Sequence, residues 1–257
     1  MTGKNENQTA LSALSDGFRD AVVVVVGGRG GIGVEVVRQV RDLGARVIIG
    51  SLSAGDETLD GAAFERDGAA TLNVDIRLPA SVCRFAREIG ETTGRIDILV
   101  NTAGSSVQAS LDQLTDEVIQ DVFRSNAIGV LTTIREFAPW LQKGRDPVIV
   151  NVGSVAARTG GGSNLAYVGA KAAVDAMVIG LAKSLGPKIR VVSVAPSALE
   201  TGFAKGRSDD FLHTTAEMTP LKRITTTTEV ANAVLIAARV LTSTTGVSIA
   251  VDGGRHL

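Results

Sequence analysis

Seven short runs of β-branched and aliphatic residues, each separated from the next by turns and mostly by a stretch of helical spacing, set the fold of this chain. The runs are residues 21–26 (AVVVVV), 45–50, 70–75, 96–101, 147–152, 189–195 and 247–252. They are apolar almost throughout instead of alternating, which is the pattern of parallel strands covered on both faces. Residues 31–43, 79–93, 112–143, 164–185 and 228–241 read as the helices between them. The alternation predicts an α/β fold: a doubly wound, parallel, seven-stranded Rossmann-like sheet with helices on both faces, in a single domain. Ligands of such sheets bind at the carboxyl ends of the strands. A chain of 257 residues has the size of one such domain. Residues 1–16 read as a flexible, solvated N-terminal extension and residues 17–257 as the domain. Residues 198–222, between Pro196 and Pro220, lack clear periodicity and read as a flap over a ligand.

Composition removes several function classes. With 26 Lys and Arg against 27 Asp and Glu, the formal charge is −1, which argues against an electrostatic grip on nucleic acid or an anionic membrane. Aromatics are limited to seven Phe, Trp140 and Tyr167, too few for base-stacking platforms. Cys83 has no partner for an intramolecular disulfide, and the two histidines, His213 and His256, lie too far apart for a zinc motif, so no metal site is expected. The apolar run 22–26 is far shorter than the roughly 20 residues that span a bilayer. The expectation is a cytoplasmic protein acting on a small molecule, with neither nucleic acid nor membrane as partner.

The first run is followed at once by Gly27-Gly28-Arg29-Gly30-Gly31-Ile32-Gly33, which opens a helix. Gly27 permits the tight turn, Gly31 lacks a side chain that would block a pyrophosphate, and Gly33 lets the helix approach the sheet. Phosphates would then rest on free amides at the positive helix end. In that position the cluster predicts dinucleotide binding. At the end of the second strand, where an acidic residue would bond the ribose hydroxyls of NAD, stands Ser51; the next carboxylate is Asp56. A 2′-phosphate would meet no repulsion there and could face Arg29. This favours NADP(H), with NAD(H) as the alternative.

Tyr167 and Lys171 are four residues apart in a helical stretch and share one face. A phenol with a reference pKa near 10 is a weak acid–base catalyst at neutral pH, and a neighbouring ammonium stabilises its phenolate. Ser154 lies just beyond the run 147–152, where its hydroxyl could bond a substrate carbonyl.

With these residues in this order, the chain resembles the classical short-chain dehydrogenase/reductase family, in a 3-oxoacyl-carrier-protein-reductase-like form, from about Phe18 to its C-terminus. Gly27, Gly31 and Gly33 match the family's glycine turn, and Asp75-Ile76 match the acidic position that contacts adenine. Asn101-Thr102-Ala103-Gly104 stand for its NNAG segment, and Asn126 for its helix-kinking catalytic asparagine. Ser154, Tyr167 and Lys171 match the rest of the tetrad, and residues 220–223 and 251–254 resemble its closing segments. The resemblance implies that Tyr167 exchanges a proton with the substrate oxygen and that Lys171 lowers its pKa and holds the nicotinamide ribose. It implies further that Ser154 orients that oxygen and that Asn126 helps position Lys171 through an ordered water. Pro196, Leu199 and Thr201 would border the carboxamide, while Ile32, Leu52, Asn101, Ala103 and Gly104 join the expected cofactor contacts. A homotetramer or homodimer is also implied, built partly on helices 112–143 and 164–185.

The chain departs from the family at three places. Val26 replaces the threonine before Gly27, Thr102 the second asparagine of NNAG, and Ser197 the glycine after Pro196. The first two imply a modest loss of local rigidity, the third an altered entry into the flap. Cys83 reads as a packed or partly exposed thiol and Trp140 as a packing or interface residue; His213 reads as a solvated loop histidine, with a substrate contact as the alternative, and Arg158 as a surface cation, with a contact to an anionic substrate group as the alternative. The leading expectation is hydride transfer between NADP(H) and a secondary alcohol or ketone. The alternatives are an NAD-linked dehydrogenase of a hydroxylated cyclic substrate and a non-catalytic dinucleotide sensor.

Overall fold

In the computed structural model, which describes residues 9–52, 69–199 and 209–257, all seven runs are strands of one parallel sheet. They are β1 (Val22–Val26), β2 (Arg46–Ser51), β3 (Ala69–Asn73), β4 (Ile98–Asn101), β5 (Val148–Val152), β6 (Arg190–Pro196) and β7 (Val247–Val251). Their spatial order is β3-β2-β1-β4-β5-β6-β7, so the order reverses between β1 and β4. Val26 pairs with both Gly50 and Asn101 in register, which brings the ends of β2, β1 and β4 to one level.

The continuous apolar runs follow from helices on both faces. Successive side chains point to opposite sides of a strand, so both sets must be buried. Val22, Val24 and Val26 enter one core with helices α3 (Pro79–Thr93), α5 (Gly129–Leu141) and α7 (Leu165–Leu185). Val23 and Val25 enter the other with α2 (Gly31–Asp42) and α9 (Thr227–Arg239). Helix starts carry local signals: Pro79 opens α3, Asn164 caps α7 by accepting from the Tyr167 amide at 2.8 Å, and Thr226 with Glu229 forms a reciprocal capping box on α9. Gly90 of α3 lies against Trp140, where a Cβ would come within 2.0 Å of the indole, so Trp140 is a packing residue as expected.

Three expectations are corrected. Residues 10–16, read as solvated extension, belong to helix α1 (Ala10–Phe18), which Thr9 caps and which buries Phe18 in the second core. The single helix 112–143 is broken into α4 (Asp116–Phe123), one wide π turn at Arg124–Ile128, and α5. Gly129 marks the break, since a Cβ there would sit 2.6 Å from the Ile76 carbonyl and 2.8 Å from that of Arg124. Within the aperiodic stretch 198–222, residues Asp209–Glu217 form a helix, α8, on which His213 is exposed and 3.9 Å from Glu217. A four-residue helix, α6 (Ala156–Thr159), follows β5.

Candidate active site

A cavity of about 1010 Å³ runs along the carboxyl ends of the strands, and most residues singled out in the sequence line it. At the end of β1, Gly27 adopts φ +88° and donates its amide to Gly50 O at 2.8 Å. A Cβ on Gly27 would lie 2.6 Å from Ala103 N, and one on Gly33 only 2.2 Å from Gly27 O. Both must therefore be glycine for the turn, α2 and the β4 loop to approach so closely. Gly30 occupies the N-cap of α2 without a side-chain cap, and no acidic residue stands in the first turn, so the amides and the positive end of the helix dipole face the cavity. Arg29, Gly31 and Ile32 line the same wall.

The departures at Val26 and Thr102 fall on one contact. The Thr102 hydroxyl donates to Val26 O at 2.9 Å, beside the amides of Thr102 and Ala103 at 2.8 and 2.9 Å. The link between β1 and β4 is thus made from the β4 side. Ala103 and Gly104 line the cavity. Asn101 does not: its buried amide donates to Asn151 Oδ1 at 2.8 Å, behind the wall.

Beyond β2 and β3, Ser51, Leu52, Asp75 and Ile76 line the far end of the cavity. Arg77, which the sequence reading did not single out, lines it too. Its guanidinium grips Asp75 with Nη2 at 2.9 Å and Nε at 3.0 Å, and reaches Asp121 at 3.3 Å. That pairing holds the Asp75 carboxyl below its usual range. The signal available in the sequence was a cation two residues after an acid at a strand end. Among the described lining residues Asp75 is the one carboxylate, against Arg29, Arg77, Lys171 and Arg255. The cavity is electropositive and suits an anionic ligand.

The tetrad residues converge from three elements. Ser154 follows β5, is nearly buried, and accepts from the Ala156 amide at 3.2 Å. Tyr167 and Lys171 project from α7, with Lys171 Nζ 5.7 Å from the phenol ring centroid. Lys171 is 6% exposed and donates to Val152 O at 3.0 Å. Burial pushes its pKa down from 10.5 to about 8, while the Asp175 carboxylate one turn on pulls it up. Asn126 sits in the π turn, fully buried, with Nδ2 donating to Ser105 O at 2.6 Å and Val122 O at 2.9 Å. It is not a lining residue, and among the described residues its Oδ1 meets no donor. Asn164, the first residue of the expected helix 164–185, locks this region by donating to Val107 O at 2.7 Å while capping α7. Arg158 is exposed, as expected of a surface cation, and donates to Ser248 O at 2.6 Å.

Pro196 ends β6 and Leu199 is buried against the cavity; Thr201 lies outside the described residues. Phe211, within the stretch read as a flap, lines the cavity from α8, and further wall residues were not anticipated: Gln108 from the β4 loop, Thr215 from α8, and Arg255 from the C-terminal turn. Among the described residues no three His, Cys, Asp or Glu side chains group to hold a metal ion.

Known proteins resemble this chain over most of its length. The family model described as enoyl-(acyl carrier protein) reductase matches residues 26–256. The 3-oxoacyl-[acyl-carrier-protein] reductase FabG of Thermotoga maritima is 33% identical over 91% of this chain and 96% of its own. Among solved structures, the Thermoplasma acidophilum aldohexose dehydrogenase superposes with a TM-score of 0.83 at 27% identity, covering 94% of this chain and 95% of that one. The Pseudomonas aeruginosa RhlG/NADP active-site complex does so with a TM-score of 0.83 at 28% identity, covering 93% and 98%.

Proposed function

The chain belongs to the classical short-chain dehydrogenase/reductase family of oxidoreductases acting on CH–OH and C=O groups, and on that premise we propose an NADP(H)-dependent reductase of ketones. The observation that carries this reading is the convergence of Ser154, Tyr167 and the buried Lys171 on one cavity that also holds the glycine turn. The residues fit a dinucleotide: a glycine cradle that Cβ atoms would fill, an uncapped helix end, and a surplus of cations. Gly27–Gly33 would hold its pyrophosphate, Asp75 and Ile76 its adenine, and Pro196 and Leu199 its carboxamide. When bound, the nicotinamide supplies or accepts the hydride. Tyr167 donates its hydroxyl proton to the carbonyl oxygen as the alcohol forms, and takes it back in the reverse direction. Lys171, held on Val152 O, stabilises the phenolate left behind, and Ser154 orients the substrate oxygen by a hydrogen bond. Asn126, through an Oδ1 that meets no donor among the described residues, positions Lys171 at second hand.

NADP(H) over NAD(H) rests on Ser51 at the end of β2, on Arg29, and on an Asp75 already engaged by Arg77. The NADP complex of the RhlG neighbour is consistent with it. The FabG relative points to 3-oxoacyl compounds as the first substrates to try. The hydroxyl pair Ser154 and Tyr167 favours a carbonyl oxygen over the carbon–carbon double bond that the family description names. Exposed Ile128 and Leu131 beside α5, with Leu165 and Ile179 on α7, support association through these helices into a homodimer or homotetramer. The deciding experiment is Tyr167→Phe: turnover followed at the nicotinamide absorbance should vanish while NADPH binding persists. Retained turnover would refute the mechanism.

A further inference from the structure

We propose that Arg255 recognises an anionic group on the substrate, so that the preferred carbonyl compounds carry a carboxylate or phosphate beyond the reacting carbon. The proposal rests on the reductase reading above and specifies its substrate class.

Position in the sheet sets Arg255 apart from the adenine and pyrophosphate end of the proposed dinucleotide. The loops assigned to that end follow β1, β2 and β3, and those assigned to the carboxamide follow β6, whereas Arg255 follows β7, at the sheet edge beyond them. Ser154 follows β5, two strands away from β7, which at about 4.8 Å per strand gives a separation on the order of 10 Å. A substrate with its carbonyl at Ser154 and Tyr167 would reach Arg255 with its far end. Phe211, Thr215, Gln108 and Ser197 also line the cavity and are neutral; of its charged lining residues among those described, Arg29, Asp75 and Arg77 follow β1 and β3, which leaves Arg255 and the buried Lys171.

The backbone that carries Arg255 is held in place, and among the described residues its guanidinium has no partner. Asp252 folds the tail into a tight turn by accepting from Gly254 N at 3.0 Å and His256 N at 2.8 Å, with His256 Nδ1 2.8 Å from its carboxylate. Gly253 and Gly254 adopt φ +66° and +87°, and Gly253 O accepts the Leu221 amide at 3.1 Å, pinning the turn to the chain that leaves α8. Arg255 is thus presented from a fixed turn, half-buried. Among the described residues its guanidinium makes no hydrogen bond or ion pair, whereas Arg77 is gripped by two carboxylates. A partly desolvated guanidinium facing a cavity is a fork for a carboxylate or phosphate, with two parallel N–H···O bonds available.

The test uses matched pairs with the full chain and NADPH. For a carboxylate, 5-oxohexanoate and 7-oxooctanoate are each compared with their methyl esters; for a phosphate, acetoacetyl-CoA is compared with the acetoacetyl thioester of N-acetylcysteamine. Binding to the NADPH-loaded protein and kcat/KM are both measured, in wild type, Arg255→Gln and Arg255→Lys. The expected result is a preference of about tenfold or more for the anionic member of one pair in binding or kcat/KM. It should fall to about twofold or less in Arg255→Gln and take an intermediate value in Arg255→Lys, which keeps the charge but loses the fork. Which pair shows it identifies carboxylate or phosphate. Equal handling of both members in wild type, or a preference that survives in Arg255→Gln, overturns the proposal while leaving the reductase reading intact. Arg255-dependent binding without reduction of any member supports the recognition and overturns the reductase reading.

Discussion

Lys171→Met should make the cofactor-free protein more stable at neutral pH while removing its turnover. Lys171 is 6% exposed, and burial holds its pKa at about 8 where an unfolded chain would have 10.5. A difference of that size corresponds to on the order of 3 kcal/mol. Below pH 8 both states carry the proton, and the folded protein bears the whole penalty of a buried ammonium. Between pH 8 and 10.5 the folded state releases the proton while the unfolded chain keeps it, so stability rises with pH through this window. Above it both are neutral and the penalty is gone. Methionine removes the charge but also the bond from Nζ to Val152 O, which contributes about 1 kcal/mol. The balance is a gain of roughly 1–2 kcal/mol at pH 7, a trade of stability against function. Urea unfolding of both proteins at pH 7 and pH 10.5 tests this, because titrations common to the two cancel in the difference. The variant's advantage should shrink or reverse by on the order of 3 kcal/mol at the higher pH. A difference that stays the same at both pH values would refute the argument, as would a variant less stable than wild type at pH 7.

Three further perturbations address other parts of the structure. Gly90→Ala puts a methyl group 2.0 Å from the Trp140 indole and should destabilise the protein by roughly 1–3 kcal/mol, measured by denaturant midpoint, with the NADPH dissociation constant unchanged. Thr102→Val deletes the hydroxyl bond to Val26 O and should lower stability by about 1 kcal/mol; a neutral result would mean that the two backbone amides on that oxygen suffice. Ser51→Asp puts a carboxylate at the end of β2 and should move the ratio of kcat/KM for NADPH over NADH at least tenfold toward NADH; an unmoved ratio would remove Ser51 from the specificity argument.

The sheet was legible because each strand is buried on both faces and so shows as an uninterrupted apolar run, as in Val22–Val26. The helix break at Asn126 was less so. Residues 112–143 keep helical spacing on both sides of the π turn, and what forces the turn is the approach of Gly129 to the Ile76 carbonyl, a contact between distant parts of the chain. Helix α1 escaped as well. Ala10, Leu11, Ala13 and Leu14 follow the polar stretch 1–9, and a helix this short is secured by contacts with distant residues, Phe18 in the core and Arg239, which donates to Gly17 O at 2.8 Å.

The same physics separates the two ends of the cavity. At the glycine-turn end, the wall residues stand at or just beyond strand ends, so residues neighbouring in sequence act together, and Gly27–Gly33, Ser51 and Asp75 can be found by position alone. Even there Arg77 was overlooked, since its role depends on its fold back onto Asp75 and Asp121. At the other end the wall is assembled from the β4 loop, α8 and the C-terminal turn, brought together where Leu221 bonds Gly253 and where Pro220 packs within 3 Å of the space beside Gly254. No local pattern encodes that meeting. A dinucleotide presents the same phosphates and rings to many proteins and can be met by local turns of fixed design. A substrate pocket made of distant segments can change one wall without disturbing the others. The residue that most narrows the substrate, Arg255, therefore stands outside every motif, two residues from the end of the chain.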